Sequence, residues 1–135
     1  MDDLRDDDYR RLLELRTNIR RFERWSREKA AEAGLTPAHH QLLLAIRGHP
    51  GEQGPTITDV AEYLQVQHHS VVGLVDRAVE AGLCRRTSDE ADNRVIRLAL
   101  TTLGRQRLRA LARAHFEELS RLGPQLQQLW SGLGS

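Results

Sequence analysis

Apolar residues recur at helical spacing through most of this chain and at strand spacing in one short stretch, and that change of rhythm lays out the fold. From Tyr9 to Ala33, Leu12, Leu15, Ile19 and Phe22 repeat at helical intervals, with Leu13 and Trp25 beside the stripe. Arg and Glu fill most other positions, and neither Pro nor Gly interrupts the run. This predicts a long amphipathic helix, ended by Gly34, which adopts the left-handed conformation of a helix C-terminus without penalty. Thr36-Pro37 opens a second helix with a capping hydroxyl and a proline at the first helical position. Gln41 to Ile46 is apolar nearly all round, so this helix is expected to be buried on several sides, with Gly48 closing it. His49-Pro50-Gly51-Glu52-Gln53-Gly54-Pro55 is turn chemistry throughout.

Thr58 is expected to cap a short third helix that turns Val60, Ala61 and Leu64 inward. A tight connection at Gln65-Val66-Gln67 leads to a fourth, where Val71, Leu74, Val75 and Ala78 fall at i, i+3, i+4 and i+7 before Gly82. Two helices joined in this way form a helix-turn-helix. The period then becomes two: Leu83 to Arg86 is a short strand, and Ile96, Leu98 and Leu100 alternate with Arg97 and Ala99 in another. The polar segment Thr87 to Asn93 between them makes an exposed hairpin tip, a wing. Thr101 can cap a fifth helix carrying Leu108, Leu111, His115 or Phe116, Leu119 and Leu122. Gly123-Pro124 is expected to end it, leaving a last short helix with Leu126, Leu129, Trp130 and Leu133. The fold class is therefore mainly α with a small β-hairpin wing, a winged helix-turn-helix, in one domain over residues 1–135.

Composition narrows the class. Hydrophobic residues make up 39% and charged residues 29%, which suits a globular chain rather than a disordered one. No apolar run approaches the roughly 20 residues that cross a bilayer, and the acidic start lacks the basic-then-apolar order of a signal peptide. The single cysteine, Cys84, has no internal partner and is expected to be a buried, inert strand thiol. A cytoplasmic location is expected. No nucleophile–base grouping, phosphate-binding glycine loop or carboxylate pair appears, so neither an enzyme nor a cofactor is expected. His39, His40 and His115 with Glu32 are the only candidates for a metal, and no ligand spacing supports them.

Charge alone does not announce a nucleic-acid partner. The net charge is +1, and residues 55–101 carry seven acidic and five basic groups. Any DNA-binding surface must come from placing arginines on one face, and all basic residues but Lys29 are arginine. The fourth helix supplies such a face. With its inward stripe accounted for, His68, His69, Ser70, Val72, Gly73, Asp76 and Arg77 look outward, beginning after Gln67. Small and hydrogen-bonding groups at the helix start suit a major groove, where base edges are read by short polar side chains. Gly73 removes bulk there at a cost of roughly 1 kcal/mol relative to Ala. On the wing, Asp92 precedes Arg94 by two positions and can orient its guanidinium toward a minor groove. Arg85 and Arg86 can reach phosphates.

The run Ile57-Thr58-Asp59-Val60-Ala61-Glu62-Tyr63-Leu64, then Val71-Val72-Gly73-Leu74-Val75-Asp76-Arg77, then Gly82-Leu83, then Asp92-x-Arg94 ending at Leu100-Thr101, resembles the MarR family of bacterial winged helix-turn-helix transcription regulators. The resemblance covers nearly the whole chain. It implies a homodimer whose N- and C-terminal helices, 9–33 and 102–133, interlock, with residues 36–101 forming the winged DNA-binding part. It implies that Gln67, His68, His69, Ser70, Gly73, Arg77, Arg86, Asp92 and Arg94 meet double-stranded DNA. It further implies a small aromatic or phenolic anion between the dimer helices and the winged part, for which Arg16, Arg20, Trp25, His39 and His40 are the right residue types. Apolar stripes at both chain ends, with Trp25 and Trp130, also favour pairing of two subunits. A winged helix used only for protein contact is the alternative, and a metal- or redox-sensing regulator is another.

Overall fold

The computed structural model describes residues 3–132. Among them the chain runs α1 (Asp6–Glu32), α2 (Pro37–Gly48), α3 (Ile57–Leu64), α4 (His68–Glu80), β1 (Cys84–Ser88), β2 (Ile96–Leu100) and α5 (Thr102–Gly132). No helix among the described residues is long and apolar enough to cross a membrane.

α1 begins with Asp6, Asp7 and Asp8, whose charges complement the positive end of the helix dipole. Gly34 follows it at φ +76°, as the left-handed stop requires. Thr36 Oγ1 accepts from the His39 N–H at 3.0 Å to cap α2. That helix is the hub of the molecule: Leu42, Leu43, Ala45 and Ile46 are all buried, and it packs on every other helix and on β2. The four α4 residues expected to face inward, Val71, Leu74, Val75 and Ala78, are buried in the same core with Val60, Leu83 and Leu98.

Thr56, and not Thr58, caps α3. Its hydroxyl accepts from the Asp59 N–H at 3.2 Å while the Asp59 carboxylate accepts from the Thr56 N–H at 2.9 Å. This reciprocal box satisfies two backbone donors, where Thr58, already inside the helix, satisfies none. The turn between α3 and α4 uses Gln65 at φ 55°, a left-handed residue that is not glycine. Its side chain donates back to the Glu62 carbonyl at 2.7 Å.

β1 and β2 pair antiparallel, from Cys84 opposite Leu100 to Ser88 opposite Ile96. The loop before α3 adds a third edge: Leu98 N–H donates to the Pro55 carbonyl at 2.9 Å, and Thr56 bridges to Arg97. Gly54 makes this approach possible, because a Cβ there would collide with the Leu98 carbonyl oxygen. The start of α5 is locked in the same manner. Thr101 Oγ1 accepts from Gly104 N–H at 3.0 Å and donates to the Gly82 carbonyl at 2.6 Å, and Gly104 sits directly against the Leu83 carbonyl.

The expected break at Gly123-Pro124 does not occur. α5 runs through Pro124 as one helix of 31 residues. Proline removes the N–H that would bond Ser120 and crowds that carbonyl. Ser120 and Pro124 are both exposed, so water can solvate the freed group. The last short helix is therefore the end of α5, and its expected residue Leu133 lies outside the described residues. His115, rather than Phe116, is the inward residue of its turn; Phe116 is 73% exposed.

Candidate nucleic-acid interface

The outward face of α4 is bare. His68, His69, Ser70, Val72, Asp76 and Arg77 are all exposed and Gly73 is half-buried, so the chain's own core covers none of the expected reading surface. Gln67 occupies the N-cap without a side-chain capping bond. Ser70 N–H donates to the Gln67 backbone carbonyl at 3.0 Å but the Gln67 side chain caps none of the first turn, so the helix start presents partial positive charge outward. Gly73 has no steric reason within the chain: an added Cβ would meet only the Arg77 guanidinium, at 3.4 Å.

On the wing the Asp92 carboxylate takes Arg94 by both oxygens. Nε and Nη2 donate to separate oxygens at 3.1 Å each, and the Arg94 backbone N–H adds a bond at 3.0 Å. The side-chain bond from Arg94 holds the Asp92 carboxyl below the usual carboxylate range, with the backbone bond adding to it. Arg86 is differently placed. Its guanidinium is tied to Asp76 on α4, so it links the strand to the fourth helix. Arg85 is exposed on β1.

Asp89 lies in the polar tip, where no sequence pattern distinguishes it from its neighbours. It is buried, accepts from Arg97 Nε at 2.5 Å, and takes backbone N–H groups of Ala91 and Asp92 at 2.9 and 3.0 Å. Gln53 donates to it at 3.2 Å, and Arg97 also donates to the Gly54 carbonyl at 2.9 Å. The Arg97 bond is the main cause holding the Asp89 carboxyl below its ordinary range. This network fastens the base of the wing to the loop before α3, and so fixes Arg94 relative to α4.

A second region lies between α1, α2 and α5. Two adjoining cavities, about 480 and 340 Å3, share Phe22, Ser26, His40, Gln41 and Leu119 in their walls. Phe22 stacks on Trp25 at 5.9 Å between centroids, and the His115 ring meets Trp25 at 4.9 Å and His40 at 5.0 Å. Burial, and then His115, lowers the His40 pKa. Of the residues expected to hold a ligand, Trp25 and His40 both meet the His115 ring, and His40 lines the two cavities while Trp25 does not. Arg16 and Arg20 stand exposed on α1. His39 lies near Arg77; burial first and that charge second lower its pKa. Ser26 and His115, 89 positions apart, approach to 2.6 Å, a contact no local pattern announces. Among the described residues no group of three or more His, Cys, Asp and Glu is placed to share a metal ion. Cys84 is buried, and burial raises its thiol pKa.

A helix-turn-helix backed by a hairpin, with the second helix bare and an arginine held out on the hairpin, defines the winged-helix class. Residues 33–94 match the model of the MarR family. The HTH-type transcriptional repressor MdtR of Bacillus subtilis is 31% identical over 77 residues, 57% of this chain and 48% of that repressor. The match therefore spans about half the length of that relative. A crystal structure of a MarR family transcription regulator superposes with a TM-score of 0.75 at 19% identity, covering 88% of this chain and 77% of the other. The Staphylococcus aureus MepR–DNA complex superposes at 0.68 with 21% identity, covering 80% and 77%. Over residues 33–94, just under half of its length, the chain is thus similar to the MarR family, and the superpositions show the same fold over most of the chain.

Proposed function

We propose that this protein is a sequence-specific DNA-binding transcriptional repressor. It acts as a homodimer on a pseudo-palindromic operator and responds to a small ligand. The observation that carries this is the bare α4 face beside the carboxylate-held Arg94, two surfaces with no role inside the chain. His68, His69, Ser70 and Gly73 are suited to the major groove, with Gln67 at the helix entrance and Arg77 at phosphate reach. Arg94, oriented by Asp92, is suited to the adjacent minor groove. Arg86 acts from its tie to Asp76, either holding that carboxylate away from phosphate or exchanging it for one. Repression follows the role of the MdtR relative, and DNA binding that of the MepR complex.

Dimerisation is supported by apolar side chains left uncovered on the terminal helices: Tyr9 and Leu13 on α1, and Phe116 and Trp130 on α5. Pairing these faces would bury them and set two α4 helices one DNA turn, about 34 Å, apart. The ligand reading rests on the cavities at the α1–α2–α5 junction, which His40 lines; Trp25 packs beside them on Phe22 and His115, and Arg16, Arg20 and His39 would serve only a ligand reaching beyond them.

The acidic balance of residues 55–101 favours a second reading, a winged helix for protein contact. A gel shift on the DNA upstream of the protein's own gene, at two salt concentrations, separates the two. The expected result is a specific complex that weakens as salt rises, because phosphate contacts release counterions. Absence of any specific complex at low salt leaves the protein-contact reading.

A further inference from the structure

The wing is tied to the loop before α3 at two heights. At its base, Leu98 N–H donates to the Pro55 carbonyl at 2.9 Å and Arg97 Nη1 donates to the Gly54 carbonyl at 2.9 Å. At its tip the tie is one side chain. The Gln53 amide donates from Nε2 to the Asp89 carboxylate at 3.2 Å and accepts the Glu90 N–H on Oε1 at 3.0 Å. Asp89 passes the tie outward. Its other oxygen takes the Asp92 N–H at 3.0 Å, and the Asp92 carboxylate grips Arg94. An unbroken line of hydrogen bonds thus runs from Gln53 to the Arg94 guanidinium.

We propose that Gln53 is the positioning residue of the wing, setting how far Arg94 stands from the outward face of α4 and, through it, the base preference at the wing end of each half-site. The proposal rests on the DNA-binding reading above and adds the residue that sets the reach of the wing. Two anchors at different heights fix an angle, where one fixes only a place. With Gln53 removed, the ties at the base remain and the tip rocks about them. A neutral amide suits the position because it donates to a carboxylate and accepts from a backbone N–H at once. Alanine makes neither bond, and a glutamate would set a second carboxylate against Asp89.

The anchor is itself held. The loop leaves α2 at His49, whose Nδ1 lies 2.6 Å from the Tyr63 hydroxyl on α3. Pro50 and Pro55 restrict the backbone on either side of Gln53. The loop is therefore a strut from α3 to the wing. Arg94 lies four residues from Leu98, up to about 13 Å at the rise of a strand. A tilt of about 10° moves its guanidinium by about 2 Å, against a minor groove about 6 Å wide. Long-range attraction to phosphate barely registers such a shift, but insertion into the groove depends on it. Loss of Gln53 is thus expected to blunt base preference more than salt dependence.

The test compares wild type, Gln53→Ala, Gln53→Glu, Arg94→Ala and the Gln53→Ala, Arg94→Ala double variant, each as the full chain with its fold checked by thermal melting. In the free protein, amide exchange followed by NMR is expected to quicken in Gln53→Ala by at least about threefold at Glu90, Ala91 and Asp92, with α4 unchanged. Selection from a randomised duplex should return the same bases opposite α4 and a broadened preference at the wing end, with affinity down by about three- to tenfold. Gln53→Glu, of equal length, should do the same and stands in if the alanine variant unfolds. In the Arg94→Ala background, Gln53→Ala should change affinity by less than about twofold, because the residue acts through that arginine. Unchanged exchange at the wing tip, equal quickening in α4, an unaltered base preference, or losses that add in the double variant each overturn the proposal. If the wild-type chain selects no sequence, the DNA-binding reading falls, and the exchange measurement alone decides whether Gln53 positions the wing.

Discussion

Asp92 grips the guanidinium of Arg94 through both carboxylate oxygens while leaving the Arg94 side chain 91% exposed. Such a pair adds little to folding, so its value lies in aiming a charge away from the protein. Arg94→Ala is expected to leave the melting temperature unchanged and to weaken operator binding by about tenfold in a gel-shift titration. Asp92→Asn should produce a smaller loss, because the arginine remains but is no longer aimed. Equal affinity for wild type and Arg94→Ala would remove the wing from the DNA interface.

Three glycines separate a folding requirement from a functional one. Gly54 and Gly104 each lie against a backbone carbonyl, of Leu98 and Leu83, that cannot step aside. Alanine at either position is expected to lower stability by on the order of 1–3 kcal/mol in denaturant unfolding. Gly73 opposes only the end of the flexible Arg77 side chain. Gly73→Ala should therefore stabilise α4 by up to about 1 kcal/mol, while operator affinity falls because the added methyl occupies space at the groove. A variant more stable and equally tight on DNA would show that the glycine serves neither purpose.

Asp89 gives the wing a pH dependence. Its folded pKa lies below the ordinary carboxylate value, so its contribution to stability is complete above about pH 4. That contribution is lost as pH falls through the lowered folded value. Asp89→Asn is expected to melt below wild type at neutral pH, with the gap closing toward pH about 2. A gap that stays constant over that range would mean the effect is steric and not ionic.

Pro124 sits inside a continuous helix, where it forfeits one backbone hydrogen bond. Pro124→Ala should raise the melting temperature at fixed protein concentration, corresponding to at most about 3 kcal/mol. A fall in melting temperature would mean that the proline shapes α5 for a contact, such as one with a second subunit, that a straight helix cannot make.

What the sequence revealed and what it hid follow from the range of each interaction. The inward stripe Val71, Leu74, Val75, Ala78 was readable because a helical period is local, and so was the bare face opposite it. Thr56 was readable in principle, since Asp59 three residues on completes a capping box, but Thr58 offered the same hydroxyl two positions later. Gly123-Pro124 carries a strong stop signal that an exposed helix can override. The Asp89–Arg97–Gln53 network and the Ser26–His115 contact join positions remote in sequence, and no spacing rule records them.

The clamp of Gly104 and Thr101 on the Gly82–Leu83 turn makes α5 and the winged part mechanically one piece. At 1.5 Å per residue, the 31 residues of α5 form an arm about 46 Å long. A tilt of about 5° at one end sweeps the other through about 4 Å, comparable to the rise between successive base pairs. With the DNA-binding function proposed above, small displacements beside His115, near the middle of that arm, would be magnified into a change of stride along the duplex.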